Sequence, residues 1–213
     1  MGDYLLSRGL MIAVEGKDYD FLGVITNTVK RMSEGELLQI QKTRKLNIDE
    51  ETYFKIISDK TASLLETCCQ IGALSSTDNP EFHEAMRKFG ESIGIAFQIR
   101  DDILDYEGKT KLIGKPVGGD IKEKKITLPL IYSLKQVSDG DASNIRKLIK
   151  NGNGKESINE IIDFVHRNKG IDYALDKAHS FSTKAIEALK VFPDSQSKIA
   201  LEALVDFVID RKN

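Results

Sequence analysis

Phe97-Gln98-Ile99-Arg100-Asp101-Asp102-Ile103-Leu104-Asp105-Tyr106 puts three carboxylates into five residues, directly after a run that reads as a helix. On helical spacing Gly90, Gly94, Gln98, Asp101, Asp102 and Asp105 fall along one side. Phe82, Met86, Phe89, Ile93, Phe97 and Leu104 form the apolar side. Like charges one turn apart repel by a few tenths of a kcal/mol per pair on an isolated helix. Such a stripe is either a solvated acidic helix end or a set of hard oxygen ligands for a cation such as Mg²⁺, which takes one or two carboxylates, waters and phosphate oxygens.

The residues C-terminal to the triplet favour the second reading. Gly114-Lys115-Pro116-Val117-Gly118-Gly119-Asp120 is a glycine-rich loop with a lysine, and Ile121 to Pro129 reads Ile-Lys-Glu-Lys-Lys-Ile-Thr-Leu-Pro. An acidic helix end followed by a flexible basic loop suits a metal-bridged diphosphate. The metal neutralises one side of the anion, ammonium groups the other, and glycines admit the backbone close to the phosphates.

These stretches resemble the trans-isoprenyl diphosphate synthases (polyprenyl synthetases). The resemblance runs through Gly2-Asp3-Tyr4-Leu5-Leu6, Met32-Ser33-Glu34-Gly35-Glu36-Leu37-Leu38-Gln39 and Lys60-Thr61-Ala62. It continues through Phe97 to Asp105 and Gly114-Lys115 to Pro129, in the family's order and spacing, and covers residues 2 to about 134. It implies an all-α fold, an isoprenoid-synthase-type helical bundle, with residues 1–213 forming a single helical domain. In that family Gly-Asp-Tyr-Leu-Leu lies well inside the chain, after a first aspartate-rich motif. The resemblance therefore implies a bundle truncated at its N-terminus, without that motif.

Composition agrees with a helical, non-nucleic-acid-binding protein. The 31 basic and 33 acidic side chains leave a net charge of −2, which gives no electrostatic case for nucleic acid or an anionic membrane. No apolar run is long enough to span a bilayer. Cys68 and Cys69 are the sole cysteines. As helix neighbours they point apart and form no ordinary disulfide. Two free thiols suit a reducing cytoplasm, the expected location.

Residues 3–15 read as a helix apolar nearly all round, the pattern of a buried helix. A second helix runs from Asp18 to about Lys42. Glu34, Glu36 and Gln39 are polar positions along its later half, either plain surface or, by the resemblance, the wall of the active-site cavity, with Gln39 as a substrate-side residue. A third helix opens at Asn47–Glu51, where Asn47 or Asp49 can cap it, and runs to about Leu74. A fourth starts at Pro80 and carries the acidic triplet. Its Gly90 and Gly94 point first to close packing of another helix and second to room for a hydrocarbon chain. The next helix is expected from near Asp120 to about Gln136. From Ser138 onward helices at 142–150, 155–168, 171–190 and 195–211 read as scaffold, with Ile158, Ile161, Ile162 and Val165 as one apolar face and Leu201, Leu204, Val205 and Val208 as another. His83, His166 and His179 have no metal-ligand spacing.

The resemblance implies Mg²⁺-dependent head-to-tail condensation of an allylic diphosphate with isopentenyl diphosphate, giving a geranylgeranyl or longer trans-polyprenyl diphosphate. It implies Asp101, Asp102 and Asp105 as metal ligands. Lys60, Thr61, Gln98, Lys115 and Lys125 become catalytic and substrate-binding residues, and Asp120 an additional acid. Lys124 stands where many members have glycine, so Lys124 and Lys125 remain alternatives for the diphosphate lysine. A homodimer is expected of the full-length form. The 213 residues alone are expected to be inactive, because the first aspartate-rich motif and the isopentenyl diphosphate site are missing. The other readings are a non-catalytic partner subunit of a heteromeric prenyl synthase and a terpene cyclase. The Lys60-Thr61 block and the lysine-rich loop argue against the cyclase.

Overall fold

Apolar side chains recur every three to four residues along most of the chain, and this period folds it into helices. A computed structural model describes residues 1–107, 118–152 and 154–210, and no strand occurs among them. α1 spans Gly2–Glu15, α2 Tyr19–Lys45, α3 Glu50–Ile57 and α4 Ser63–Leu74, with a π-turn at Ser58–Ala62 joining the last two. α5 is Pro80–Glu107, α6 Gly119–Lys122, α7 Leu128–Lys135, α8 Asp139–Asn151 and α9 Lys155–Arg167. α10 is Gly170–Ala188, followed by a 3₁₀ turn at Leu189–Val191, and α11 is Gln196–Asp210.

α5 packs chiefly against α4 and α10. Ser92 to Ala96 are buried in succession, so this part of the helix is enclosed on all sides and not along one apolar stripe as its sequence suggests. Close approach to α4 requires the two glycines of α5. A Cβ on Gly90 would lie 2.6 Å from the Leu65 carbonyl oxygen, and one on Gly94 would lie 2.6 Å from Ala62 Cα. Packing of another helix, the first of the two explanations, is what both positions serve. Each glycine costs about 1 kcal/mol of helix propensity relative to alanine, and helix contact at this range offsets it.

Local signals set several boundaries. Asp49 caps α3, its Oδ1 accepting from the Thr52 amide at 2.8 Å, and the Ser138 hydroxyl accepts from the Asp141 amide at the start of α8. The helix expected from Asp120 to Gln136 is instead two short helices. Pro129 cannot sit in the interior of such a helix, because its ring would strike the carbonyl four residues back and it has no N–H. It stands in the first turn of α7, where neither matters. The chain turns before it at Lys124, whose φ of +59° lies in the left-handed region. A glycine there carries no Cβ penalty. Lys124→Gly is expected to raise stability by about 1 kcal/mol in urea unfolding.

Two burial expectations are corrected. α1 is not buried: Tyr4, Leu5, Met11 and Ile12 are each at least half exposed, and Ala13 is its one buried residue. A helix apolar on every face needs neighbours on every face, and the main partner of α1 is α2 alone. Leu204 is exposed, while Val205 and Val208 turn inward with Ile158, Ile161 and Val165.

Candidate active site

The π-turn is the local irregularity that builds the site. At Ser63 the amide reaches back five residues to the Ser58 carbonyl, and the Ser63 hydroxyl donates to the Asp59 carbonyl at 2.6 Å. Such single-turn widenings recur at functional sites. Lys60 and Thr61 lie in this turn and line one cleft with Gln39, Gln98, Asp102 and Lys125. Lys60 Nζ donates to Gln39 Oε1 at 2.6 Å and pairs with Glu36 Oε2 at 2.6 Å. Both partners come from α2, one turn apart.

A chain of hydrogen bonds crosses the cleft floor. The Thr61 hydroxyl donates to Gln98 Oε1 at 2.9 Å, and Gln98 Nε2 donates to Asp102 Oδ1 at 2.8 Å. The other carboxylate oxygen, Asp102 Oδ2, accepts from the Tyr53 hydroxyl at 2.7 Å. Asp102 is 4% exposed. Burial first, then the charge of Asp120, pushes its carboxyl up to about 8, against the opposing effect of the Tyr53 and Gln98 bonds. Burial, then the Asp102 charge, holds the Tyr53 phenol well above its ordinary value.

The three aspartates of the triplet do not share one environment. A helix turns by about 100° per residue, so Asp102 faces α3 while Asp101 is exposed. Asp105 receives the start of α6. Its carboxylate accepts from the amides of Gly119 at 2.9 Å and Asp120 at 3.0 Å, and its carbonyl from the Gly118 amide at 2.9 Å. Its carboxyl is held above the ordinary range, by burial first, against the opposing effect of those amides. Asp120 is raised by burial and then by Asp105, with Lys125 opposing. Lys125 Nζ lies 3.5 Å from Asp120 and 2.5 Å from Glu123. Of the two lysines left open by the sequence, Lys125 is the one on the cleft wall, and Lys124 makes the turn.

The structure thus gathers Gln39, Lys60, Thr61, Gln98, Asp102 and Lys125 around one cleft and places Asp105 immediately behind it. Lys115 lies outside the described residues. Tyr53 escaped the sequence reading. It sat in an ordinary apolar run, and only its seven-residue spacing from Lys60, two helical turns, hinted at a shared face. Among the described residues no three His, Cys, Asp or Glu groups form a ready metal cage. The donor chemistry nevertheless fits a hard divalent cation. Asp102, Asp105 and Asp120 are all oxygen donors held above their usual range by burial and by neighbouring negative charge, and a cation would relieve both.

A model of the polyprenyl synthetase family matches residues 1–165. The chain belongs to this family. Among polyprenyl synthetase relatives, it is 31% identical to octaprenyl diphosphate synthase of Haemophilus influenzae, aligned over 99% of this chain and 64% of that protein. It is 30% identical to geranylgeranyl diphosphate synthase of Saccharolobus solfataricus, over 99% of this chain and 66% of that one. In structure it is similar to a polyprenyl synthase from Caulobacter crescentus, crystallised with calcium and isoprenyl diphosphate, with a TM-score of 0.92 at 32% identity. That match covers 100% of this chain and 65% of the other. The chain therefore spans about two-thirds of the length of these polyprenyl synthetases, and their names cover different product lengths.

Proposed function

We propose that this chain carries the diphosphate and Mg²⁺ side of a trans-prenyl chain-elongation site, for condensation of an allylic diphosphate with isopentenyl diphosphate. The observation that supports this best is the opposed charge of the cleft. Lys60 and Lys125 stand on its walls, and Asp102, Asp105 and Asp120 are gathered at its floor and rear. Asp101, Asp102 and Asp105, with Asp120, would hold Mg²⁺, which when bound supplies Lewis-acid charge to the diphosphate oxygens. Lys60 and Lys125, with Lys115 as companion, bind the diphosphate and place fixed positive charge where negative charge grows as the carbon–oxygen bond breaks.

Lys60 and Lys125 are now held by Glu36, Gln39, Glu123 and Asp120. A diphosphate exchanges those side-chain oxygens for phosphate oxygens, so the pairs keep both ammonium groups at the cleft before the anion arrives. Thr61 and Gln98 carry the hydrogen bonds that orient Asp102. Pairing into a homodimer of full-length chains and a cytoplasmic setting belong to the same reading. No helix among the described residues is long and apolar enough to cross a membrane.

The test is calorimetric titration of pyrophosphate in excess magnesium. Lys60→Ala and Lys125→Ala are each expected to weaken binding about tenfold or more, as loss of a charge-assisted contact does. Unchanged affinity in both would overturn the assignment of the two lysines. With only one aspartate-rich motif in its sequence, the chain is expected to bind without turnover when both diphosphate substrates are supplied. A product assay showing elongation would overturn that part.

A further inference from the structure

Lys60 and Thr61 owe their direction to the π-turn, and nothing local in Ser58–Ala62 demands one. Lys55 of α3 pairs with Asp59 at 3.0 Å, and α5 meets the turn through Glu91, which accepts from the Ser58 hydroxyl at 3.3 Å, and through Gly94 against Ala62. On the side away from the cleft the turn is held from α2. Arg31 and Gly35 are one helical turn apart and face the same way. A Cβ on Gly35 would lie 2.9 Å from the Lys60 amide nitrogen and 3.1 Å from Asp59 Cβ, so α2 rests directly on the backbone of the turn. The Arg31 guanidinium spans the same turn. Its Nε donates to Asp59 Oδ1 at 3.0 Å, one Nη to Ser58 Oγ at 3.3 Å and the other to Glu66 Oε2 at 2.6 Å. Asp59 and Glu66 are 8% and 7% exposed, so the acceptors of this fork are largely shielded, while Arg31 is itself partly exposed. Arg31 itself does not line the cleft.

We propose that Arg31 and Gly35 are positioning residues for Lys60 and Thr61. They lock the π-turn in the register that aims both side chains into the cleft, without touching the diphosphate. The effect on binding rests on Lys60 being a diphosphate ligand; the locking of the turn does not.

Two variants test it. Arg31→Lys keeps the charge but lacks the planar fork needed to hold Ser58, Asp59 and Glu66 together. Gly35→Ala inserts one methyl group against the Lys60 amide. Residue-resolved amide hydrogen exchange and calorimetry with magnesium pyrophosphate are measured on each, alone and combined with Lys60→Ala. The expected result is exchange about tenfold faster at residues 59–63, with Ile93–Ile99 of α5 unchanged. Affinity is expected to fall about tenfold when Lys60 is present and by much less when it is replaced, since only Thr61 is then left to position. Unchanged exchange at 59–63 overturns the proposal, as does an equal loss of affinity in both backgrounds, or unfolding of both variants. If the unsubstituted chain binds no magnesium pyrophosphate, the functional reading fails and the exchange result alone decides whether the turn is locked from α2.

Discussion

Stripped of divalent cations, the chain is expected to lose stability as the pH rises from about 4 to about 8, and magnesium is expected to abolish the loss. The sign is set by Asp102. Its carboxyl is ordinarily near 3.8 and is pushed up to about 8 in the fold. Between those values the folded form keeps a proton that the unfolded form has released, so each rise in pH favours unfolding. Below about pH 4 both forms are protonated, and above about pH 8 both are ionised, so stability is flat at the two ends as far as this group is concerned. The slope for one such group reaches about 1.4 kcal/mol per pH unit, and the total is on the order of a few kcal/mol. Asp105 and Asp120 are raised as well and act in the same direction. Asp49 and Glu84 are lowered, by their hydrogen bonds to Thr52 and Arg87, and their stabilisation is lost only as pH falls into the acid range. A bound cation favours the ionised acids and reverses the slope. Urea midpoints at pH 5 and pH 8, in chelator and in magnesium, check this. Asp102→Asn is expected to flatten the profile in chelator. Equal midpoints at both pH values in chelator would contradict the assignment of a buried, raised carboxyl.

Glu66→Leu is expected to destabilise the fold by about 2–3 kcal/mol. Glu66 is nearly buried and accepts from two arginines, Arg31 at 2.6 Å and Arg87 at 3.0 Å. Arg87 also donates to Glu84 at 2.8 and 2.9 Å and to Glu91 at 3.3 Å, so the network ties α2, α4 and α5 together. Removing its central carboxylate takes the shared acceptor from two partly exposed guanidinium groups, which keep Asp59 on one side and Glu84 and Glu91 on the other, so the cost is that of the lost charge-assisted hydrogen bonds. Glu84→Ala, at the solvated edge of the same network, is expected to cost under about 1 kcal/mol. Urea unfolding followed by helical circular dichroism compares the two. Similar losses would mean that the network is held at its rim and not at Glu66.

The helices were legible because their apolar period and caps are local, and the boundaries at Asp49 and Pro80 are set by side chains beside them. The start of α8 was not: Ser138 caps it, and the helix begins at Asp139, three residues before the one expected at 142. The break between α6 and α7 was also legible in principle, since Pro129 forbids the long helix expected there. The π-turn was not. Ser-Asp-Lys-Thr-Ala has no unusual propensity, and the turn is held by Arg31, 28 residues before Asp59, and by glycines on α2 and α5. The acidic triplet contributes Asp102 to the cleft, but helical spacing could not show that Asp102 turns inward to Tyr53 while Asp101 faces out. That difference depends on which helix packs beside α5. The apolar sequence of α1 gave the wrong burial for the same reason: periodicity describes a face, and burial needs a neighbour.

A metal-bridged diphosphate site is tested most directly by titration of pyrophosphate into the chain by calorimetry, in magnesium and in chelator, beside Asp101→Ala/Asp105→Ala. Binding is expected to require magnesium and to be lost in the double variant while its helical signal persists. Pyrophosphate binding of equal strength in chelator, or in the double variant, would contradict such a site, and so would the absence of any binding by the folded, unsubstituted chain.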